Sequence, residues 1–95
     1  MKAYKLTSIN YMNMRAKVYV ESVKLFNGGE ELTFRAIAKS GTYPEDGSDE
    51  DNTYAKFSPS ATFTIFVANP VLFGNFKPGE KYYVDFSAAE SREAA

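Results

Sequence analysis

The sequence predicts a small all-β domain, a Greek-key or OB-like β-barrel of about four to six strands with one short helical turn. Three observations support this prediction. Ala16, Val18 and Val20 alternate with polar residues, as in a strand that buries one face. A hairpin signal at 27–30 (NGGE) follows this strand. The closing stretch 76–86 (FKPGEKYYVDF) predicts a tight turn and then another alternating strand.

The first predicted strand, Arg15–Phe26, changes the phase of its apolar positions. Val23 and Leu25 replace the even-numbered positions that precede them, which indicates a β-bulge near Glu21–Ser22 or a strand that bends between two sheets. The return strand, Glu31–Lys39, is expected to direct four apolar side chains inward, namely Leu32, Phe34, Ala36 and Ala38.

The second half predicts two more strands, separated from the first hairpin by a long polar loop at 40–58. The third strand, Ser60–Ala68, places Phe63, Ile65 and Val67 on one side. A short helical turn follows, which Asn69 caps, Pro70 begins and Gly74 ends. The inner row of the fourth strand consists of Tyr82, Val84 and Phe86.

The chain is predicted to form one barrel domain at 14–88, with an N-terminal arm or extension at 1–13 and a C-terminal tail at 89–95. Such arms bind neighbours by adding a strand to a sheet edge or by laying apolar side chains into grooves. The candidate assembly residues of the arm are Tyr4, Leu6, Ile9 and Tyr11.

The composition argues against an enzyme. The chain has no cysteine and no histidine, so thiolate chemistry and the commonest general base are absent. We find no phosphate-binding loop, dinucleotide fingerprint or nucleophile elbow. We therefore predict no catalytic residues, no cofactor and no metal. No apolar run approaches the roughly 18 residues of a membrane span, so no membrane partner is expected.

Five acidic residues concentrate in a loop that follows a mildly basic first half of the chain. Clustered carboxylates can bind calcium, but this loop lacks the EF-hand spacing. We expect a solvated loop that keeps neighbours apart or contacts a basic partner. Its acidic residues are Glu45, Asp46, Asp49, Glu50 and Asp51.

An outward-facing row of cations and aromatic rings provides a candidate nucleic-acid face. Single-strand binders with OB-like barrels stack bases on such rings and contact phosphates with such cations. The net charge of −1 argues against this function, because affinity depends heavily on phosphate neutralisation. The residues of the candidate face are Arg15, Lys17, Tyr19, Arg35, Lys39, Phe66 and Tyr83.

Two segments resemble a family of small uncharacterised tailed-bacteriophage proteins. The first is 51–60 (DNTYAKFSPS), and the second is the closing motif at 76–86, of the form F-x-P-G-x-x-Y-Y-V-D-F. The resemblance covers roughly 14–88 and leaves the arm outside. It implies a phage origin, and the family offers no catalytic residues to transfer.

The resemblance and the arm together suggest a non-enzymatic virion accessory protein, a capsid decoration or cement subunit assembled in the bacterial host cytoplasm. Its partners would be other virion proteins such as the major capsid protein, with homo-oligomerisation expected. Two alternatives remain open. One is a phage single-stranded nucleic-acid-binding protein, and the other is a small inhibitor of host defence that acts through the acidic loop.

Overall fold

The computed structural model describes residues 14–89, which form one antiparallel sheet of four strands. The strands are β1 (Met14–Phe26), β2 (Gly29–Ala36), β3 (Thr62–Val67) and β4 (Lys81–Phe86), and a 3₁₀ turn, η1 (Pro70–Leu72), precedes β4. Their order across the sheet is β3-β2-β1-β4. The predicted all-β class and helical turn are therefore confirmed, and the strand order is that of a Greek key.

The predicted barrel is wrong, because the sheet is open and β3 and β4 form its two edges. The connection between these strands lies across one face of the sheet. Phe76 in this connection packs edge-on against Phe34 of β2 and lies 5.1 Å from Tyr82 of β4, measured between ring centroids. The connection therefore occupies the space that a closed barrel would enclose.

The hairpin of β1 and β2 forms as predicted. Asn27 and Gly28 both have positive φ, at 51° and 78°, as a two-residue type I′ turn requires. The predicted bulge is also confirmed, because Val20 pairs with Phe34 and Ser22 pairs with the next residue of β2, which leaves Glu21 without a partner. The extra residue explains the phase change in the sequence.

The hydrophobic core lies on one face of the sheet, which we call the core face. Val18, Val20 and Leu32 are at most 1% exposed. The connection before β4 and the ring of Tyr54 cover this face. We call the opposite face the back face. Within residues 14–89 it has no such covering layer, except where Asp51 of the acidic loop contacts Lys17.

The strand β2 is shorter than predicted, and Ala38 is exposed rather than inward. Ile37 still donates its backbone N–H to the carbonyl of Lys17, but beyond this point Asn52 and Thr53 bond to β1 in place of a β2 residue. Pairing with the loop therefore ends the β-ladder two residues before Ala38.

The predicted inner rows of β3 and β4 lie on the core face but are covered only in part. Phe63, Ile65 and Phe86 remain 37%, 50% and 51% exposed. The helical turn is capped by Asn69 as predicted, with Oδ1 accepting from the N–H of Val71. It ends at Leu72 rather than at Gly74.

Candidate functional site

The candidate nucleic-acid residues largely share the back face. Tyr19 pairs with Arg35 and Lys17 pairs with Tyr83, so these four side chains lie on one side of the sheet. Arg15 and Phe66 extend the same face towards its two ends. The seventh residue, Lys39, lies in the loop beyond β2. The structure thus brings together six of the seven residues.

Each cation of this group already has a carboxylate partner. Arg15 donates two hydrogen bonds to Asp85, at 2.7 and 3.0 Å, and its guanidinium lies 4.3 Å from the ring centroid of Tyr83. The hydrogen bond raises the pKa of Arg15 and lowers the pKa of Asp85. Lys17 Nζ lies 3.4 Å from Asp51 Oδ2.

The remaining two cations follow the same pattern. Arg35 Nε donates to Glu21 Oε2 at 2.8 Å, so the bulged residue of β1 neutralises a cation on β2. This hydrogen bond raises the pKa of Arg35. Lys39 Nζ lies 3.1 Å from Glu50 Oε1. The four candidate cations are therefore paired with acids, which reduces the positive charge that a phosphate chain selects.

The acidic loop, expected to be solvated, folds around one buried carboxylate. Asp49 is 3% exposed and accepts hydrogen bonds from three backbone N–H groups, those of Asp51, Asn52 and Lys39, at 3.0, 3.1 and 3.4 Å. The Tyr43 hydroxyl and the Asn52 amide also donate to it, at 3.2 Å each. Burial alone would raise the pKa of Asp49, but these hydrogen bonds outweigh it and the pKa is lowered.

The loop is attached to β1 by Asn52, which is fully buried. Its Oδ1 accepts the N–H of Lys17 at 2.7 Å, and its Nδ2 donates to the carbonyl of Ile37 at 3.0 Å. Thr53 adds two further bonds to the backbone of Arg15. Asn52 therefore supplies, with a side chain, the pairing that β2 no longer provides.

Most acidic residues of the loop are thus engaged within the protein. Asp51 accepts the hydroxyl of Tyr83 at 2.9 Å, which raises the pKa of that tyrosine. Asp46 accepts the N–H of the nearby Ser48, and Glu45 is exposed. Between residues 14 and 89, no cluster of acidic side chains is placed to hold a metal ion.

The sequence interpretation missed an uncharged apolar surface formed by β3 and η1. It can be found in the sequence, because residues 57–76 contain no charged side chain although 24% of the chain is charged. We call this the uncharged surface. It comprises both faces of the edge strand, with Phe63 and Ile65 on the core face and Phe66 on the back face. Its exposed large apolar side chains, between 37% and 81% exposed, are Phe63, Ile65, Phe66, Val71, Leu72 and Phe73.

The uncharged surface is anchored to the sheet by a buried carboxylate. Glu30 is 4% exposed, and its Oε2 accepts the N–H of Gly74 at 2.8 Å. Glu30 pairs with Val67 at the end of β3. This hydrogen bond holds the segment after η1 near the end of β3.

The two edges of the sheet differ in chemistry. Ala36 donates its N–H to the carbonyl of Ala61, so Phe63, Ile65 and Val67 form the hydrogen-bonded pairs with β2. The backbone groups of Thr62, Thr64 and Phe66 consequently point away from the sheet.

The same alternation holds on the other edge. Val20 bonds to the carbonyl of Glu80, so the backbone groups of Lys81, Tyr83 and Asp85 point outward from β4. Two of these three residues are charged, whereas the outward positions of β3 carry no charge.

The candidate assembly arm, with Tyr4, Leu6, Ile9 and Tyr11, lies outside the described residues. No helix between residues 14 and 89 has the length and apolar character needed to span a membrane. Comparison of the chain with protein-family models, with curated proteins and with solved structures found no match.

Proposed function

We propose that the protein is a non-enzymatic bacteriophage virion accessory protein, a capsid decoration or cement subunit that acts through protein–protein contacts. The observation that supports a contact function is the uncharged surface of β3 and η1. The phage assignment and the major capsid protein as partner depend on the sequence resemblance. Homo-oligomerisation is part of the proposal.

The uncharged surface has the character of an interface core. Exposed apolar patches rimmed by polar residues mark interaction sites on soluble proteins. Charged residues are depleted at the centre of such interfaces, and aromatic residues are enriched there. Phe63, Phe66 and Phe73 supply the aromatic rings, each at least 37% exposed. Sites of this kind bind another protein surface.

Quantitative mass spectrometry of purified virions from the source phage tests the virion assignment. We expect the protein at a fixed ratio to the major capsid protein. A variant with Ile65→Lys should be lost from particles, because a charge would be desolvated in the interface. A matched variant, Lys24→Glu on the back face, should be retained. Absence of the wild-type protein from particles would contradict the assignment.

A second candidate function, binding of single-stranded nucleic acid, is favoured by the shared back face of Arg15, Lys17, Tyr19, Arg35 and Tyr83. The carboxylate partners of the cations weaken it, because each phosphate contact would first have to displace an acid. Titration with single-stranded DNA at two salt concentrations distinguishes the two functions. Tight binding that weakens steeply with salt would favour nucleic acid.

A further inference from the structure

We propose that the outer edge of β3 is a self-association surface, on which β3 of a second copy pairs antiparallel about a two-fold axis at Thr64. The pairing would join two four-stranded sheets into one continuous sheet. This inference specifies the surface for the homo-oligomerisation in the proposed function, and it holds whether or not the protein enters a virion.

The backbone of β3 is ready to accept another strand. The N–H and C=O groups of Thr62, Thr64 and Phe66 point away from β2, and no strand within residues 14–89 pairs with them. Such a row of unpaired groups is a template for strand addition.

Within the described part of the chain, β3 also lacks the charges, proline and bulge by which edge strands prevent strand addition. The β3 sequence TFTIFV has no lysine, no proline and no charged residue, and its register with β2 is unbroken by a bulge. On β4, by contrast, Lys81 and Asp85 occupy outward backbone positions, and Asp85 is held by Arg15. The difference selects β3 rather than β4 as the associating edge.

The side chains of β3 are complementary to a second copy of the same strand. An antiparallel pair centred on Thr64 sets Thr64 opposite its own copy and Thr62 opposite Phe66, with hydrogen bonds between the outward backbone groups. On the core face, Phe63 then lies opposite Ile65. Aromatic–β-branched pairs and threonine pairs of this kind stabilise antiparallel ladders.

Charge favours a second copy over a polar partner. The flanking segment 57–76 has no charged residue, so two copies meet without like-charge repulsion. Phe63 and Ile65, which are 37% and 50% exposed in one copy, would extend the apolar row of the other. The same contact therefore pairs the backbone and covers apolar side chains that β2 leaves open.

Analytical ultracentrifugation and amide hydrogen exchange of the full chain test this proposal. We expect a dimer at micromolar concentrations, with slow exchange at Thr62, Thr64 and Phe66 as well as at the residues bonded to β2. Thr64→Lys places two ammonium groups opposite each other, and Thr64→Pro removes an outward N–H without affecting the bonds to β2. Each variant should weaken dimerisation by about tenfold or more.

A matched control is Thr33→Lys, on the same face of the sheet but one strand inward, opposite Thr64. It should remain a dimer, and circular dichroism should show native strand content in all variants. A monomeric wild-type chain, or dimers that persist in both Thr64 variants, would overturn the proposal. Loss of the dimer on deletion of residues 1–13 would instead assign the edge to the arm.

The virion experiment is independent of this one. A protein that is stoichiometric in particles but monomeric in solution would refute self-association, and with it the homo-oligomerisation in the proposed function, but would leave the virion assignment intact. A dimer with the expected exchange pattern that is absent from particles would support self-association and contradict the virion assignment.

Discussion

At the residue scale, Asp49 organises the longest connection of the fold. Five hydrogen bonds reach its two carboxylate oxygens, and none of the donors is another carboxyl group. A charged acceptor suits this arrangement, because every neighbour presents an N–H or O–H group. The acidic composition of the loop therefore serves the folding of the loop itself at this position.

Replacing Asp49 with Asn should lower the free energy of unfolding by about 2 kcal/mol, because the amide nitrogen would face donors and leave them unpaired. Urea unfolding at neutral pH measures the change. Asp46→Asn in the same loop is the control and should have a small effect, since Asp46 is exposed and accepts from the nearby Ser48. Equal losses in both variants would contradict a special role for Asp49.

The lowered pKa of Asp49 makes the stability of the protein depend on pH. A carboxyl group whose folded pKa is below its unfolded value stabilises the protein above the unfolded pKa, and this stabilisation is lost as the pH falls through the folded pKa. Wild-type stability should therefore decline below about pH 4, where aspartate ordinarily titrates. The Asp49→Asn variant should show a smaller decline in urea unfolding across this range.

At the element scale, the β-bulge at Glu21 explains why the core-facing residues of β1 change from even to odd positions. Ala16, Val18 and Val20 face the core before it, and Val23 faces the core after it. Because one extra residue is inserted on β1, even and odd positions exchange faces, so Val23 packs against the core, whereas Leu25, in the same phase, is 73% exposed. The side chain of Glu21 then pairs with Arg35.

Deletion of Glu21 should preserve the fold, because Val20 and Ser22 would then face consecutive β2 residues in a regular ladder. We expect a loss of about 2 kcal/mol or less in urea unfolding. Deletion of Tyr19 is the matched control. It should unfold the chain, since it would move Arg15 and Lys17 to the core face. A folded Tyr19 deletion would argue that the register is weakly specified.

This strand also shows how far the sequence predicts the structure. Period-two alternation locates the strands and the bulge because side-chain direction along a strand is local. It does not predict the open sheet, since closure depends on the path of the connection that carries Phe76. Nor does it predict the burial of Asp49 and Asn52. Asn52 bonds to backbone groups of Lys17 and Ile37, and Asp49 accepts from Lys39 and Tyr43, contacts that form only when the loop has folded against the sheet.

At the scale of the whole molecule, charge is divided unevenly. On the back face, Arg15, Lys17 and Arg35 are each paired with an acid, whereas β3 and η1 carry no charged residue. The candidate nucleic-acid face could be proposed from alternation, but its neutralisation could not, since Glu21 and Asp51 reach it through a bulge and a folded loop. The uncharged surface can be located in the sequence, because residues 57–76 contain no charged side chain.

Self-association through this surface should depend little on salt. Screening weakens interactions between charges, and none lies on β3. We expect the dimer dissociation constant to change by less than about twofold between low salt and 0.5 M NaCl, as measured by sedimentation. A steep weakening with salt would instead indicate that the paired charges of the back face form the contact.

The unequal edges of the sheet set a limit on growth. An open sheet with two receptive edges would add copies without end, as in a fibril. In the sheet of residues 14–89, each copy has one receptive edge, and joining two copies there leaves β4 at both outer margins, with Lys81 and Asp85 along each. Because the charged β4 edges disfavour the addition of a further strand, pairing through β3 should stop at the dimer rather than continue to a polymer.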